Sequence, residues 1–164
     1  MTLPAKRVRD SFVETTELVL PGHTNPLGNV FGGRVMELAD ITGGVAASRH
    51  ARASVVTVSM DELHFREPVK LGHVIILHAS VNFAGHTSME VGVRVEREDP
   101  LTGERVHTAT AYLTFVALGP DGKPREVPPL IAETDEEKRR MENARIRRAE
   151  RLRKRELYRS APGA

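Results

Sequence analysis

The sequence predicts an α+β domain in which a five-stranded antiparallel sheet wraps one long helix. Three observations point to it. The elements run in the order strand, helix, four strands. The turns between the later strands are short, which favours antiparallel hairpins. The helix is apolar or small on most sides, so one flat sheet face would not cover it. A chain of 164 residues is long enough for one domain with a true core.

Residues 12–20 (FVETTELVL) are rich in β-branched types and read as the first strand. Residues 21–29 form a loop, with Gly22, Pro26 and Gly28 as turn formers. Residues 31–50 read as the helix, because Val35, Leu38, Ala39, Thr42, Val45 and Ala46 recur at three- and four-residue spacing. Gly43 and Gly44 each cost about 1 kcal/mol of helix stability against alanine. Their presence predicts that another backbone passes close by.

Four strands follow, at residues 54–65, 73–83, 87–98 and 104–118. In the third of these, Met89, Val91, Val93 and Val95 alternate with Glu90, Gly92, Arg94 and Glu96, so one face is apolar. A proline-rich stretch at residues 120–129 closes the domain, which we bound at residues 1–130. Residues 131–164 form a charged helical extension carrying favourable i,i+4 pairs such as Glu136 with Arg140.

Composition excludes several classes. There are 0 cysteines, which removes disulfides, thiolate metal sites and a cysteine nucleophile. No apolar run approaches the ~18 residues a membrane span needs. The basic N-terminus has no apolar run after it, which argues against a secretory signal. A cytoplasmic protein without a membrane partner is expected. The 24 Lys/Arg and 22 Asp/Glu are unevenly spread. Residues 133–159 hold 11 of the basic and 7 of the acidic groups, leaving 13 against 15 elsewhere. The body is therefore not a nucleic-acid surface. The tail reads more simply as a solvated helix than as an RNA site, since acids interleave its bases.

The chemistry concentrates in residues 22–44, GHTNPLGNVFGGRVMELADITGG. Asp40 is a carboxylate within a largely apolar helix, where an unpaired charge is expensive to bury. It is either a hydrogen-bonded structural residue or a general base or nucleophile in a partly dry cleft. Asn25 is either ordinary turn chemistry or a holder of water or a carbonyl group. Gly32 and Gly33 either make a tight turn or offer bare N–H groups at a helix N-terminus, an oxyanion site. The 7 histidines show no metal-ligand spacing. His50, His64, His78 and His107 are read as structural or surface residues. No metal is expected, and no nucleophile elbow, phosphate loop or dinucleotide fingerprint is present.

Taken in order, TNPLGNVFGG (24–33), the Asp40 helix, SRH (48–50), VVTVSMDELHF (55–65), PVKLG (68–72), TSMEV (87–91), TFVAL (114–118) and VPPL (127–130) resemble the hotdog-fold acyl-CoA thioesterases. The resemblance covers residues 21–130, and the charged extension is similar to that family's C-terminal segment. Each motif alone is weak and the ordered set is strong. His23 departs from a frequent aspartate and Ala39 from a common methionine, which bears on acyl-chain preference rather than on the catalytic groups.

The resemblance implies a hotdog fold and hydrolysis of acyl-CoA, with no cofactor beyond the coenzyme A carried by the substrate. It implies a homodimer with a continuous sheet, assembled into a trimer of dimers. It maps the catalytic pair onto Asn25 of one subunit and Asp40 of the other, with the Gly33 N–H on the oxyanion. Coenzyme A would contact Arg49, Thr57, Ser59, Gly85, Thr87 and Ser88. A hotdog hydratase would need a histidine near this helix, and residues 31–49 contain none. A non-catalytic acyl-CoA-binding or RNA-binding hotdog protein is the alternative, and the retained Asp40 weighs against it.

Overall fold

A computed structural model describes residues 3–61 and 63–160. Strands β1 (Lys6–Arg7), β2 (Val13–Leu18), β3 (Ser54–Met60), β4 (Val74–Ala84), β5 (Ser88–Glu98), β6 (Arg105–Leu118) and β7 (Leu130–Ile131) accompany helices α1 (Gly32–Ala51) and α2 (Asp135–Ser160). The main sheet is antiparallel in the order β2-β4-β5-β6-β3. Its hairpins β4–β5 and β5–β6 turn through short loops, as the composition of those turns requires. The sheet curls around α1, the arrangement that the resemblance implied. A small parallel pair, β1 with β7, was not anticipated. Two residues per strand are too few to leave a periodic signal.

Alternation along the strands separates two faces. Met89, Val91, Val93 and Val95 point inward with Leu113 and Phe115, and all are buried. Against them α1 lays Val35, Leu38, Ala39, Thr42, Ala46 and Ala47. Val45 departs from the expected core set: it faces outward and keeps 41% of its surface exposed. Gly43 has its role, but the close neighbour is a ring rather than a backbone. A Cβ there would lie 3.2 Å from the Phe115 ring. The smallest residue type therefore lets the largest core side chain sit under the helix.

The C-terminus of α1 is tied down by ions and burial. Lys6 Nζ donates to the His50 carbonyl at 2.6 Å, a cation placed where the helix dipole favours one. His50 is fully buried and its Nε2 bonds the Pro128 carbonyl at 2.7 Å. A carbonyl only accepts, so Nε2 carries the proton. Burial pushes the imidazole pKa below its ordinary value of 6.5, more than the Pro128 bond raises it.

The outer face carries polar groups and α2. Glu90 of β5 is 2% exposed, and Arg147 of α2 reaches both of its oxygens, the shorter contact being 2.7 Å. Arg151 bridges Glu90 at 3.2 Å and Asp61 at 2.7 Å. The Arg147 guanidinium also lies 3.6 Å from the Tyr112 ring centroid, a cation–π contact. The extension is thus docked on the sheet by a buried carboxylate with two arginines, where the sequence suggested a solvated helix.

Candidate active site

Asp40 sits two turns into α1, half-buried at the end of the sheet. Its Oδ1 accepts a hydrogen bond from Thr57 Oγ1 at 2.6 Å, a length typical of a hydroxyl donating to a carboxylate. The carboxylate is therefore oriented by β3. Thr57 was expected to meet coenzyme A; within the chain its hydroxyl donates to Asp40. The sequence offered no signal for this pair, because strand and helix are brought together only by the sheet's curl.

Thr57 can reach the helix because β3 is irregular there. Thr57 pairs with Phe115 and Ser59 pairs with Thr114, so Val58 is an extra residue, a β-bulge. Neighbouring residues on β6 face opposite ways. The bulge therefore sends Thr57 to the inner face, with Phe115, and Ser59 to the outer face, with Thr114. In a regular strand both would share one face.

The N-terminus of α1 is open. Phe31 at the N-cap contributes no side-chain bond. Arg34 is the first residue of the turn whose N–H donates, to the Phe31 carbonyl at 2.9 Å. The N–H groups of Gly32 and Gly33 take no acceptor among the described residues. Gly33 is exposed, and a Cβ there would meet nothing within 4 Å, so a ligand atom can approach its N–H. Gly32 differs: a Cβ would lie 3.3 Å from the Phe65 ring. Phe65 thus covers one side of the helix end, a residue that the strand pattern had assigned to a continued β3. Gly33 and Asp40 are seven residues apart, about 10 Å along one helix face. Helical side chains slant toward the N-terminus, which brings the carboxylate toward the open N–H groups.

Asn25 belongs to a compact loop. Its Oδ1 accepts from the Leu27 N–H at 3.0 Å and the Asn29 N–H at 3.2 Å. Its N–H donates to the Asn29 carbonyl at 2.8 Å, and Gly28, at φ 76°, turns the chain back. The loop is held to the body by Val30 N–H on the Val69 carbonyl at 2.7 Å. Asn25 Nδ2 has no partner among the described residues, so a rigid loop presents a free amide donor. Within one chain the amide serves its own loop rather than Asp40.

Of the other expected contacts, Ser59, Thr87 and Ser88 line one outer groove with α2. Gly85 turns the β4–β5 hairpin, its N–H donating to the Ser88 carbonyl at 2.8 Å. Arg49 lies nine residues beyond Asp40 on α1 and donates to the Phe12 carbonyl, away from that groove. No group of three His, Cys, Asp or Glu among the described residues could hold a metal.

A hydroxyl-oriented carboxylate, an uncapped helix N-terminus and an amide-bearing loop can activate water and stabilise an oxyanion. Comparison with known proteins agrees with that chemistry. The model of the Thioesterase superfamily matches residues 27–104. The chain is 42% identical over 129 residues to the uncharacterized acyl-CoA thioester hydrolase YkhA of Bacillus subtilis, covering 79% of this chain and 75% of that one. It is 40% identical to the mouse acyl-coenzyme A thioesterase 11 but spans only 25% of its length. An apo-hexameric acyl-CoA thioesterase superposes with a TM-score of 0.89 at 40% identity, over 93% of this chain and 97% of that one. The Staphylococcus aureus acyl-CoA hydrolase, solved with butyryl coenzyme A and coenzyme A, superposes with a TM-score of 0.86 at 35% identity over 95% and 98%. Alanine variants of that enzyme have been solved at one asparagine, one aspartate and one threonine. Their spacings in sequence equal those of Asn25, Asp40 and Thr57.

Proposed function

The chain belongs to the Thioesterase superfamily, among the acyl-CoA thioester hydrolases, and on that premise we propose that it hydrolyses acyl-CoA to a fatty acid and coenzyme A. The observation that carries the proposal is the Thr57–Asp40 hydrogen bond at the open end of α1. Among the described residues the oriented carboxylate has no side-chain partner other than the threonine that aims it.

In the proposed reaction the thioester carbonyl oxygen lies at the Gly33 N–H. Asp40 takes a proton from water as the water attacks the carbonyl carbon, and Asn25 holds that water through its amide. Collapse of the tetrahedral intermediate expels the coenzyme A thiolate. Because a thiolate leaves readily, a strong general acid is not essential. Direct attack by Asp40, through an anhydride, would use the same placement. Coenzyme A arrives as part of the substrate, along Ser59, Thr87 and Ser88, and no further cofactor takes part.

We assign Asn25 and Asp40 of one site to two subunits. The free edge of β3 and the outward side of α1 support this. Val56 and Val58 on that edge, with Met36, Ile41 and Val45 on the helix, are apolar and between 41% and 60% exposed. An unpaired edge beside an apolar patch is where a second copy adds a strand. The hexameric relative supports a trimer of such dimers. No helix among the described residues is long and apolar enough to cross a membrane. Relatives named cytosolic acyl coenzyme A thioester hydrolases support placing the reaction in the cytoplasm.

The test is thiol release from acyl-CoAs of short, medium and long chain. Asp40→Asn is expected to abolish turnover and keep coenzyme A binding; a fully active variant overturns the assignment. Mixing Asn25→Ala with Asp40→Asn subunits tests sharing. Random reassembly should restore about a quarter of wild-type activity, since half the dimers then hold one intact site. No recovery after verified subunit exchange overturns the shared site.

A further inference from the structure

The two glycines that open α1 keep their N–H groups reachable because they carry no side chains. For the same reason they have nothing of their own to grip the sheet, and glycine has the largest backbone freedom to lose. Arg34 is the first residue of α1 with a side chain, and all three of its side-chain nitrogens donate. Nε and Nη2 reach Glu17 Oε1 of β2 at 3.0 and 2.6 Å, and Nη1 reaches Glu37 Oε2 at 2.6 Å. An arginine is an adverse choice in the first turn of a helix, because the dipole already places positive charge there. Helix stability therefore does not explain Arg34, whereas its partner on β2 does.

We propose that Glu17 and Arg34 are positioning residues of the hydrolase, and that their ion pair fixes the Gly33 N–H against the Asn25 loop. The inference rests on the hydrolase reading above and adds to it two residues that touch no reacting atom. Glu17 stands on the inner side of β2, in alternation with Val13 and Thr15. The chain runs from β2 into the Asn25 loop, and His23 closes the base of that loop. His23 Nδ1 accepts the Leu20 N–H at 3.2 Å, and its carbonyl accepts the N–H of Phe31, the N-cap of α1, at 3.0 Å. His23 Nδ1 also lies 3.6 Å from Glu17 Oε1. One carboxylate oxygen thus meets the residue two before Asn25 and the residue next after Gly33.

Two further bonds work with this tether. Thr42 Oγ1 donates to Thr15 Oγ1 at 3.2 Å, about two turns further along α1 and again on the inner side of β2. On the opposite edge of the sheet, Thr57 holds Asp40 at 2.6 Å. Helix α1 is therefore bonded to both edge strands, and of these bonds the Glu17–Arg34 pair lies closest in sequence to the oxyanion donors. Both side chains of the pair keep 25% of their surface exposed, and a pair so exposed adds little to global stability. Its effect falls on geometry instead, where a misplacement of about 1 Å can cost about 100-fold in rate.

The experiment is a double-mutant cycle in the full chain: Glu17→Met, Arg34→Met and the two together. Methionine is unbranched and uncharged, so each change removes the bond and leaves the volume nearly filled. Activity is thiol release from one acyl-CoA, with thermal melting alongside. Each single variant is expected to lower kcat about 10- to 100-fold, with KM within about twofold and Tm within about 3 °C of wild type. The double variant should lose no more than the worse single, since both remove one bond. Hydrogen exchange read by mass spectrometry should be faster in residues 22–34 and unchanged in β5. An unchanged kcat in either single variant overturns the proposal, as does a loss confined to KM or losses that multiply in the double variant. A kcat loss that comes with a large fall in Tm and faster exchange throughout the chain makes the pair a stabilising contact only, and also overturns it. If wild type releases no thiol, the hydrolase reading fails. Exchange in residues 22–34 then still decides the tether: faster in the variants upholds it, and unchanged overturns it.

Discussion

Replacing Thr57 by valine removes one hydrogen bond and almost nothing else. Valine matches threonine in shape and favours a strand, and Thr57 lies exposed on an edge strand, so the fold should persist. The bond lost is the 2.6 Å contact from Thr57 Oγ1 to Asp40 Oδ1. A hydrogen bond to a charged group is worth about 1.5–3 kcal/mol. If it orients Asp40 in the transition state, kcat should fall about 10- to 150-fold. The assay is steady-state thiol release, with Thr57→Ser alongside to return the hydroxyl. The expected pattern is a large loss in kcat with KM within about twofold for the valine variant, and substantial recovery for the serine variant. A raised KM at unchanged kcat would refute the argument, because the hydroxyl would then serve coenzyme A, as the resemblance alone had suggested. An unchanged kcat and KM would refute both roles.

Three further outcomes follow from the packing. Glu90→Gln leaves Arg147 without its carboxylate and Arg151 with Asp61 alone; the two side chains keep 21% and 23% exposure, so the cost should sit at the low end for a broken buried pair, about 3 kcal/mol. Calorimetry should then show a Tm about 6–12 °C lower, and a shift under about 2 °C would contradict the docking role. His50 is held neutral by burial, with its folded pKa below the unfolded value of 6.5. The unfolded chain takes up that proton first, so stability should fall as pH drops below about 6.5, and His50→Gln should flatten this slope in thermal melts across pH 7.5 to 5.5, buffer values chosen to span about that point. Gly28→Ala forces a side chain into φ 76°, which should cost about 1 kcal/mol and lower kcat by disturbing the Asn25 loop; equal Tm and kcat would show that the loop tolerates the strain.

Much of the fold was legible because its signals are local. The alternation Met89 to Val95 marks a half-buried strand wherever it lies, and the three- and four-residue spacing from Val35 to Ala46 marks a helix. The errors have physical causes. Residues 61–65 carry a strand-like pattern, yet β3 ends at Met60, and Phe65 turns back to cover Gly32. Val45 fits the helical spacing but faces outward, on the side where a second copy is proposed to bind. The charges of α2 gave no sign of docking, because a buried Glu90 with two arginines looks in sequence like any polar residue on the outer side of a strand.

The sequence by itself determined the strand–helix–strand order, the position of Asp40 in an apolar helix, and the open Gly32-Gly33 start of that helix. These depend on residue type and spacing within a few turns of chain. Only the tertiary structure decided that Thr57 aims Asp40, that Ser59 faces the opposite side, and that α2 walls the outer groove. Each depends on a register: the single extra residue at Val58, and the pairing of Glu90 with a helix 57 positions away. Register is set by the sum of many long-range contacts, and no short window of sequence contains that sum.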